Sequence, residues 1–192
     1  MLVVFEGIDC SGKSTQAKAL AERLENTGLK VSLTSEPTHG LVGEFIRKHV
    51  LNKPDITDPF TVALLFAADR ANHLSELNFG DYDVVVFDRY YFSSVAYQTS
   101  SGAPRSFVEG INSFAPKPDH VFLLDLPAEV SVQRKSKRDK LEGVEFLKRV
   151  RETYLSLAKE FGFTVLDATK PASEVSEQVF QTMSTKVSKV AR

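Results

Sequence analysis

The sequence predicts a three-layer α/β fold: a five-stranded, mainly parallel sheet with helices on both faces. Three observations lead there. Short apolar, β-branched runs occur at 2–5, 31–34, 84–87, 121–124 and 164–166, and they lack the polar–apolar alternation of half-exposed strands, the pattern of strands covered on both sides. Stretches with apolar residues three and four apart lie between them, and such strand–helix alternation builds parallel sheets. The chain has 192 residues, which is the size of one domain spanning 1–192.

Each element has its own signal. The run at 2–5 leads into a glycine-containing loop and then a helix over 13–26, where Ala17, Leu20, Ala21 and Leu24 share a face and Gly28 offers a stop. The run at 31–34 precedes a helix over 41–51 carrying Val42, Phe45, Ile46 and Val50. Asp58 followed by Pro59 is an N-cap with proline at the first helical position, opening a long helix to about Asn78. The third and fourth runs follow. A helix is expected over 143–161, then the last run, then a helix over 172–188.

Composition narrows the function. Hydrophobic residues make up 42% and charged residues 26%, an ordinary globular balance. With 24 Lys and Arg against 25 Asp and Glu, the chain does not hold nucleic acid by bulk charge. A lone cysteine and four histidines give no disulfide and no metal-ligand spacing, so a reducing compartment, the cytoplasm, is expected. Apolar stretches of about five residues fall far short of the ~20 of a membrane helix. The first residues show no signal-peptide pattern.

Ligands of a parallel sheet bind beyond the carboxyl ends of its strands, so the residues after each run carry the chemistry. After the first come Gly7, Ile8, Asp9, Cys10, Ser11, Gly12, Lys13 and Ser14, then Thr15, a full match to G-x-x-x-x-G-K-[ST] between a strand and a helix. The glycines permit close backbone approach, and successive N–H groups form a concavity for phosphate oxygens at a helix N-terminus. Lys13 reaches the outer phosphates and the Ser14 hydroxyl can ligand Mg2+. The loop predicts nucleoside triphosphate and Mg2+ binding within a P-loop NTPase fold. It leaves the phosphate acceptor open, since switches, motors and kinases share it.

The other strand ends narrow the choice. Glu36-Pro37 follows the second run, with Arg47 on the next helix. Asp88-Arg89-Tyr90 closes the third, followed by Ser93 and Ala96-Tyr97-Gln98. Phe66 and Arg70 lie four apart on one helix face. From Arg134 to Lys140 there are five cations and one acid, a local charge of +4.

Taken together, Phe5-Glu6-Gly7 through Thr15, Glu36-Pro37, Phe66 to Arg70, Asp88-Arg89-Tyr90 with Ala96-Tyr97-Gln98, and Phe146 with Arg149-Val150-Arg151 and Tyr154 resemble the thymidylate kinase family, which phosphorylates dTMP with ATP. The resemblance implies that the loop from Gly7 to Thr15, with Arg134, binds ATP, and that Ser14 and Asp88 place Mg2+. It implies that Asp9, Glu36, Arg47, Phe66, Arg70, Arg89, Tyr97 and Gln98 bind dTMP: Phe66 by stacking on thymine, Arg70 at its exocyclic oxygen, Tyr97 against the sugar, Arg89 and Arg47 at the phosphate. Asp9 resembles the acid near the acceptor sugar and phosphate. Lys13, Arg89 and a lid cation would stabilise the transferring group. The family takes its catalytic arginine from the P-loop or the lid. Cys10 stands at the P-loop position, so the expectation moves to the basic run (lid about 134–143), with Arg138 first and Arg134 or Lys137 behind it. Family members are homodimers, so a dimer is expected.

The sequence departs from the family pattern at Ser35, where an arginine is usual, at Thr38-His39-Gly40 after Glu-Pro, and at Asp139 to Glu142 in the lid. Taken alone, Phe66 also fits a core phenylalanine beside Leu64 and Leu65, Arg47 a solvated helix arginine, and the basic run a solvated surface. Two alternatives stay open: a nucleoside monophosphate kinase of broader or different base choice, and a non-kinase P-loop ATPase or switch. No N-K-x-D guanine signature is present.

Overall fold

The computed structural model describes residues 1–134 and 143–187. Five strands, β1 (Leu2–Glu6), β2 (Val31–Ser35), β3 (Val84–Asp88), β4 (His120–Asp125) and β5 (Thr164–Asp167), form one parallel sheet in the order β2-β3-β1-β4-β5. Every run read as a strand is one, within a residue at either end. β1 is central and wholly buried. The expectation of strands covered on both faces fails at the two edges: β2 and β5 have one neighbour each, and Leu33 and Val165 are 45% and 46% exposed.

Eight α-helices flank the sheet in the described residues: α1 (Lys13–Glu25), α2 (Leu41–Ile46), α3 (Pro59–Glu76), α4 (Tyr91–Ser100), α5 (Arg105–Ile111), α6 (Ala128–Arg134), α7 (Val144–Phe161) and α8 (Ala172–Val187). α1 packs on β1, β2 and β3 and against α8, while α4 packs against α3, α5 and α7. α3 starts as expected: the Asp58 carboxylate accepts the Thr61 N–H at 2.7 Å. It stops at Glu76 rather than Asn78, because Asn78 caps a following 3-10 turn through the Gly80 N–H (3.2 Å). The helix expected over 41–51 is α2 followed by a π-helical turn, Arg47–Asn52. Its last carbonyls are claimed by a returning loop, with the Asp55 and Ile56 amides both donating to His49 (2.9 and 3.1 Å).

The strand order places the site. Because β1 lies between β3 and β4, chain connections diverge at its carboxyl end, where an open α/β sheet forms a crevice. In register, Phe5 lies beside Asp88 and Ser35 beside Asp88 from the other side. The P-loop, the Asp-Arg turn and the Glu-Pro turn therefore emerge side by side. Among the described residues, no helix is long and apolar enough to cross a membrane.

Candidate active site

The loop after β1 takes the backbone shape its sequence demands. Gly7 has φ +143, and a Cβ there would sit 2.6 Å from the Leu124 carbonyl oxygen of β4, so no other residue fits. Gly12, at φ +95, caps α1. Lys13, the first residue of α1, is buried, and its ammonium donates to the Ile8 carbonyl (2.8 Å) and Ser11 Oγ (3.4 Å). Burial, with a contribution from Arg89, pulls this ammonium down to about 8. An anion in the loop would restore the charge balance.

At the end of β3 the Ser14 hydroxyl donates to Asp88 Oδ2, while Asp88 Oδ1 is buried with no hydrogen-bond partner. Such an orphaned carboxylate oxygen beside a hydroxyl is a vector for a hard cation. Arg89 follows with φ +70, in the left-handed region that costs a non-glycine residue about 1–2 kcal/mol. Its guanidinium donates to Asp9 and to Ser93 Oγ (3.3 Å) and lies 5.3 Å over the Tyr97 ring, whose hydroxyl donates to Asp9 at 3.2 Å. Asp9, Arg89 and Tyr97 thus meet at the mouth of the loop.

Across the cleft a second arginine is buried. Arg70, 1% exposed, donates to Glu36 Oε2 through Nε (2.7 Å) and Nη2 (2.6 Å), to the Asn112 side-chain oxygen, and to Ser94 Oγ (3.3 Å). Glu36 turns its other oxygen to His73 Nδ1 (3.2 Å), and His73 Nε2 meets Thr34 Oγ1 (2.7 Å). Asp69 accepts both the amide and the hydroxyl of Thr38 (2.7 and 2.6 Å), clamping the turn after Glu-Pro. Phe66, one turn before Arg70, is half-buried and is part of neither the hydrophobic core nor the side chains packed on it. It therefore lies at the margin of the core, on the α3 face that carries Arg70. Gln98 is buried with an unpartnered Oε1. The Arg47 guanidinium donates to the Pro37 carbonyl and lies 3.5 Å from Glu44, so it rests on the Glu-Pro turn instead of in solvent.

On the other side of the loop Arg134, the last residue of α6, donates to the Cys10 and Ala168 carbonyls (3.2 Å each). With Gly12, Thr15 and Lys170 it lines a pocket of about 200 Å³. Lys137 and Arg138, the other candidates for the catalytic lid cation, lie outside the described residues, as does the lid from 135 to 142. A larger cavity, about 260 Å³, lies between α4, α5 and α7 and contains no P-loop residue.

Two features went unread in the sequence. Ser93 and Ser94, neighbours on α4, accept from Arg89 and Arg70 respectively. One helix therefore ties both arginines. Glu6, quoted only as part of a motif, is wholly buried under the cleft and held by Tyr90, Ser93 and Tyr154. The Glu6 and Ser94 contacts join residues 24 to 148 apart and leave no local signal, while the Arg89–Ser93 contact, four apart, lies in a segment with no readable helical pattern.

A G-x-x-x-x-G-K-S loop between the central strand and a helix, the Ser14–Asp88 pair beside it and two arginines tied to one helix are the geometry of a P-loop protein. The family model described as Thymidylate kinase matches residues 5–179. The chain is 45% identical over 185 residues to "Probable thymidylate kinase 1" of Saccharolobus solfataricus, covering 94% of this chain and 95% of that protein. It is 44% identical over 178 residues to "Probable thymidylate kinase" of Methanocaldococcus jannaschii (91% and 90% covered) and 43% over 202 residues to that of Thermococcus kodakarensis (96% and 98%). The chain belongs to the thymidylate kinase family, and it is an ATP-dependent kinase.

Proposed function

We propose that this enzyme transfers the γ-phosphoryl group of Mg·ATP to dTMP, giving dTDP and ADP, through the residues gathered around α4. The observation that carries the reading is the pair of arginines bound to adjacent serines, Arg89 at the P-loop mouth and Arg70 in a buried polar cluster one helical turn from the half-buried Phe66. The amides from Gly7 to Thr15 and the Lys13 ammonium cradle the triphosphate. Ser14 and the unpartnered oxygen of Asp88 would hold Mg2+, which when bound supplies charge neutralisation across the phosphates. Arg89 exchanges Asp9 for the acceptor phosphate, with Arg47 as the second cation. Phe66 stacks on the base, Arg70 and Gln98 face its polar edge, Glu36 holds Arg70, and Tyr97 packs on the sugar. Arg134 closes the donor side over Cys10, and Arg138 is assigned the catalytic lid role. No covalent intermediate is needed; positioning and charge neutralisation carry the reaction.

A coupled assay of ADP release with dTMP, dUMP, dGMP and CMP tests this. The expected result is kcat/KM for dTMP at least about tenfold above dGMP and CMP, with slow ADP release when no acceptor is added. Equal values across the panel would remove the thymine assignment. Hydrolysis indifferent to every acceptor would return the chain to the ATPase reading.

We infer further that the enzyme is a cytoplasmic homodimer. The α2–α3 side exposes Leu41 (91%), Phe45, Phe60 and Leu64, an apolar surface of the kind that marks a protein interface. Sedimentation at micromolar concentration should give about twice the chain mass of 21.3 kDa. A monomer would show that this surface serves another purpose.

A further inference from the structure

Glu6 is a carboxylate at the carboxyl end of the central strand, wholly buried and not in contact with solvent. Its four lone-pair directions meet four donors. Oε1 accepts the backbone N–H groups of Tyr90 (3.0 Å) and Ser93 (3.1 Å); Oε2 accepts the hydroxyls of Ser93 and Tyr154 (2.9 Å). The Ser93 amide belongs to the first turn of α4 and is shared between Glu6 Oε1 and the Tyr90 carbonyl (3.0 Å). Glu6 therefore caps α4 from another strand, and α4 has no side-chain cap of its own.

The same contacts reach Arg89. The amides of Tyr90 and Ser93 fix the chain immediately after Arg89, which adopts φ +70. The Ser93 hydroxyl spends its only proton on Glu6, which leaves its lone pairs to accept Arg89 Nη1 at 3.3 Å. A protonated Glu6 could not accept all four donors. The serine would then be free to rotate, and Arg89 would lose a directed acceptor.

We infer that Glu6, with Ser93 and Tyr154, is a positioning residue that locks Arg89 into its acceptor-binding pose and ties that pose to the P-loop strand. The inference rests on the phosphotransferase reading and adds that turnover depends on the ionised form of a group touching neither nucleotide. Burial pushes Glu6 up to about 6, partly offset by its hydrogen bonds to Ser93 and Tyr154 and by the charge of Arg89. The charged and titratable groups facing it are Arg89 beyond β3, Tyr91 on α4, Tyr154 on α7 and Lys13 on α1. The Lys13 ammonium and Tyr91 phenol are protonated around pH 6, so among the groups facing one another here the ionisation near that pH is that of Glu6. The acceptor's own phosphate titrates nearby, so variants are compared on one substrate.

Two variants separate positioning from folding. Glu6→Gln keeps the volume and one oxygen for the two amides but removes the charge. Tyr154→Phe keeps the charge and removes one donor that favours ionisation. Both are assayed with whichever nucleoside monophosphate the wild type turns over, so a wild type that rejects dTMP overturns the base assignment without touching this inference. Glu6→Gln is expected to lower kcat roughly 10- to 100-fold while KM for ATP stays within about threefold. Tyr154→Phe is expected to retain most activity at pH 8, with the acid limb of kcat moved upward by about half a unit or more. The inference is overturned if Glu6→Gln keeps kcat within twofold, if ATP KM rises in proportion to the loss in kcat, or if the acid limb stays in place in Tyr154→Phe. Should Glu6→Gln fail to fold, the Tyr154→Phe profile alone decides.

Discussion

Arg89→Ala should lower kcat/KM for the acceptor by about 10³-fold or more while leaving ATP affinity within a few-fold. Arg89 is the cation that lies at the P-loop mouth and is held by a carboxylate from the loop itself, Asp9. In the proposed mechanism the acceptor phosphate replaces Asp9 on this guanidinium, which Asp9 and Ser93 already hold at the loop mouth. Alanine removes both the grip on the acceptor and the positive charge that spreads over the migrating group. The triphosphate cradle keeps its backbone, because Arg89 touches the Gly7 to Thr15 loop only through the Asp9 carboxylate and one long contact to the Gly7 carbonyl (3.5 Å), and loss of its charge favours the protonated Lys13 ammonium. Single-turnover kinetics with titrated ATP separates the two effects. A variant with near-full rate would remove Arg89 from the mechanism, and one that also loses ATP would make it a structural part of the loop.

The second large effect concerns stability. Glu36→Ala should lower the melting temperature by roughly 6–20 °C, since removing one member of a buried ion pair costs about 3–5 kcal/mol and each kcal/mol moves a chain of this length by about 2–4 °C. Glu36 and Arg70 are 3% and 1% exposed at their side chains, and the guanidinium would be left with neutral partners only. Replacing both residues by apolar ones, Glu36→Leu with Arg70→Met, should recover much of the loss, because a buried pair is often replaceable by packing. That double variant is expected to fold and still fail on the acceptor. Circular dichroism melts on the single and double variants check this. A drop of less than about 2 °C in Glu36→Ala would mean that water reaches Arg70.

The strands were legible because the sheet is covered and parallel, so 2–5, 84–87 and 121–124 carry no polar interruptions. The P-loop was legible because phosphate binding needs glycine at fixed spacing, and the Leu124 carbonyl explains why Gly7 cannot be anything else. α4 was not. Its sequence, Tyr91 to Ser100, is rich in aromatic, β-branched and hydroxyl residues, which form helices poorly. Phe92, Ser94, Val95, Ala96 and Gln98 are all buried, so no amphipathic stripe remains to be read. Its cap comes from Glu6, 84 residues from Tyr90. α5 and α6, at seven residues each, are too short to show a period.

The site followed the same division. Asp9, Arg89 and Tyr97 were singled out by pattern and meet in space. Arg70 was singled out as a donor to a base, yet its position is decided by Glu36, Asn112 and Ser94, contacts spanning 34, 42 and 24 residues. Nothing local distinguishes Asn112 or His73 from surface residues. Only the packing of α3, α4 and α5 around Arg70 makes them part of the cleft.

The adjacency of Ser93 and Ser94 couples two parts of the cleft. Both serines sit in α4, so a displacement of that helix moves the Arg89 and Arg70 contacts together, while a substitution at either serine releases only one of them.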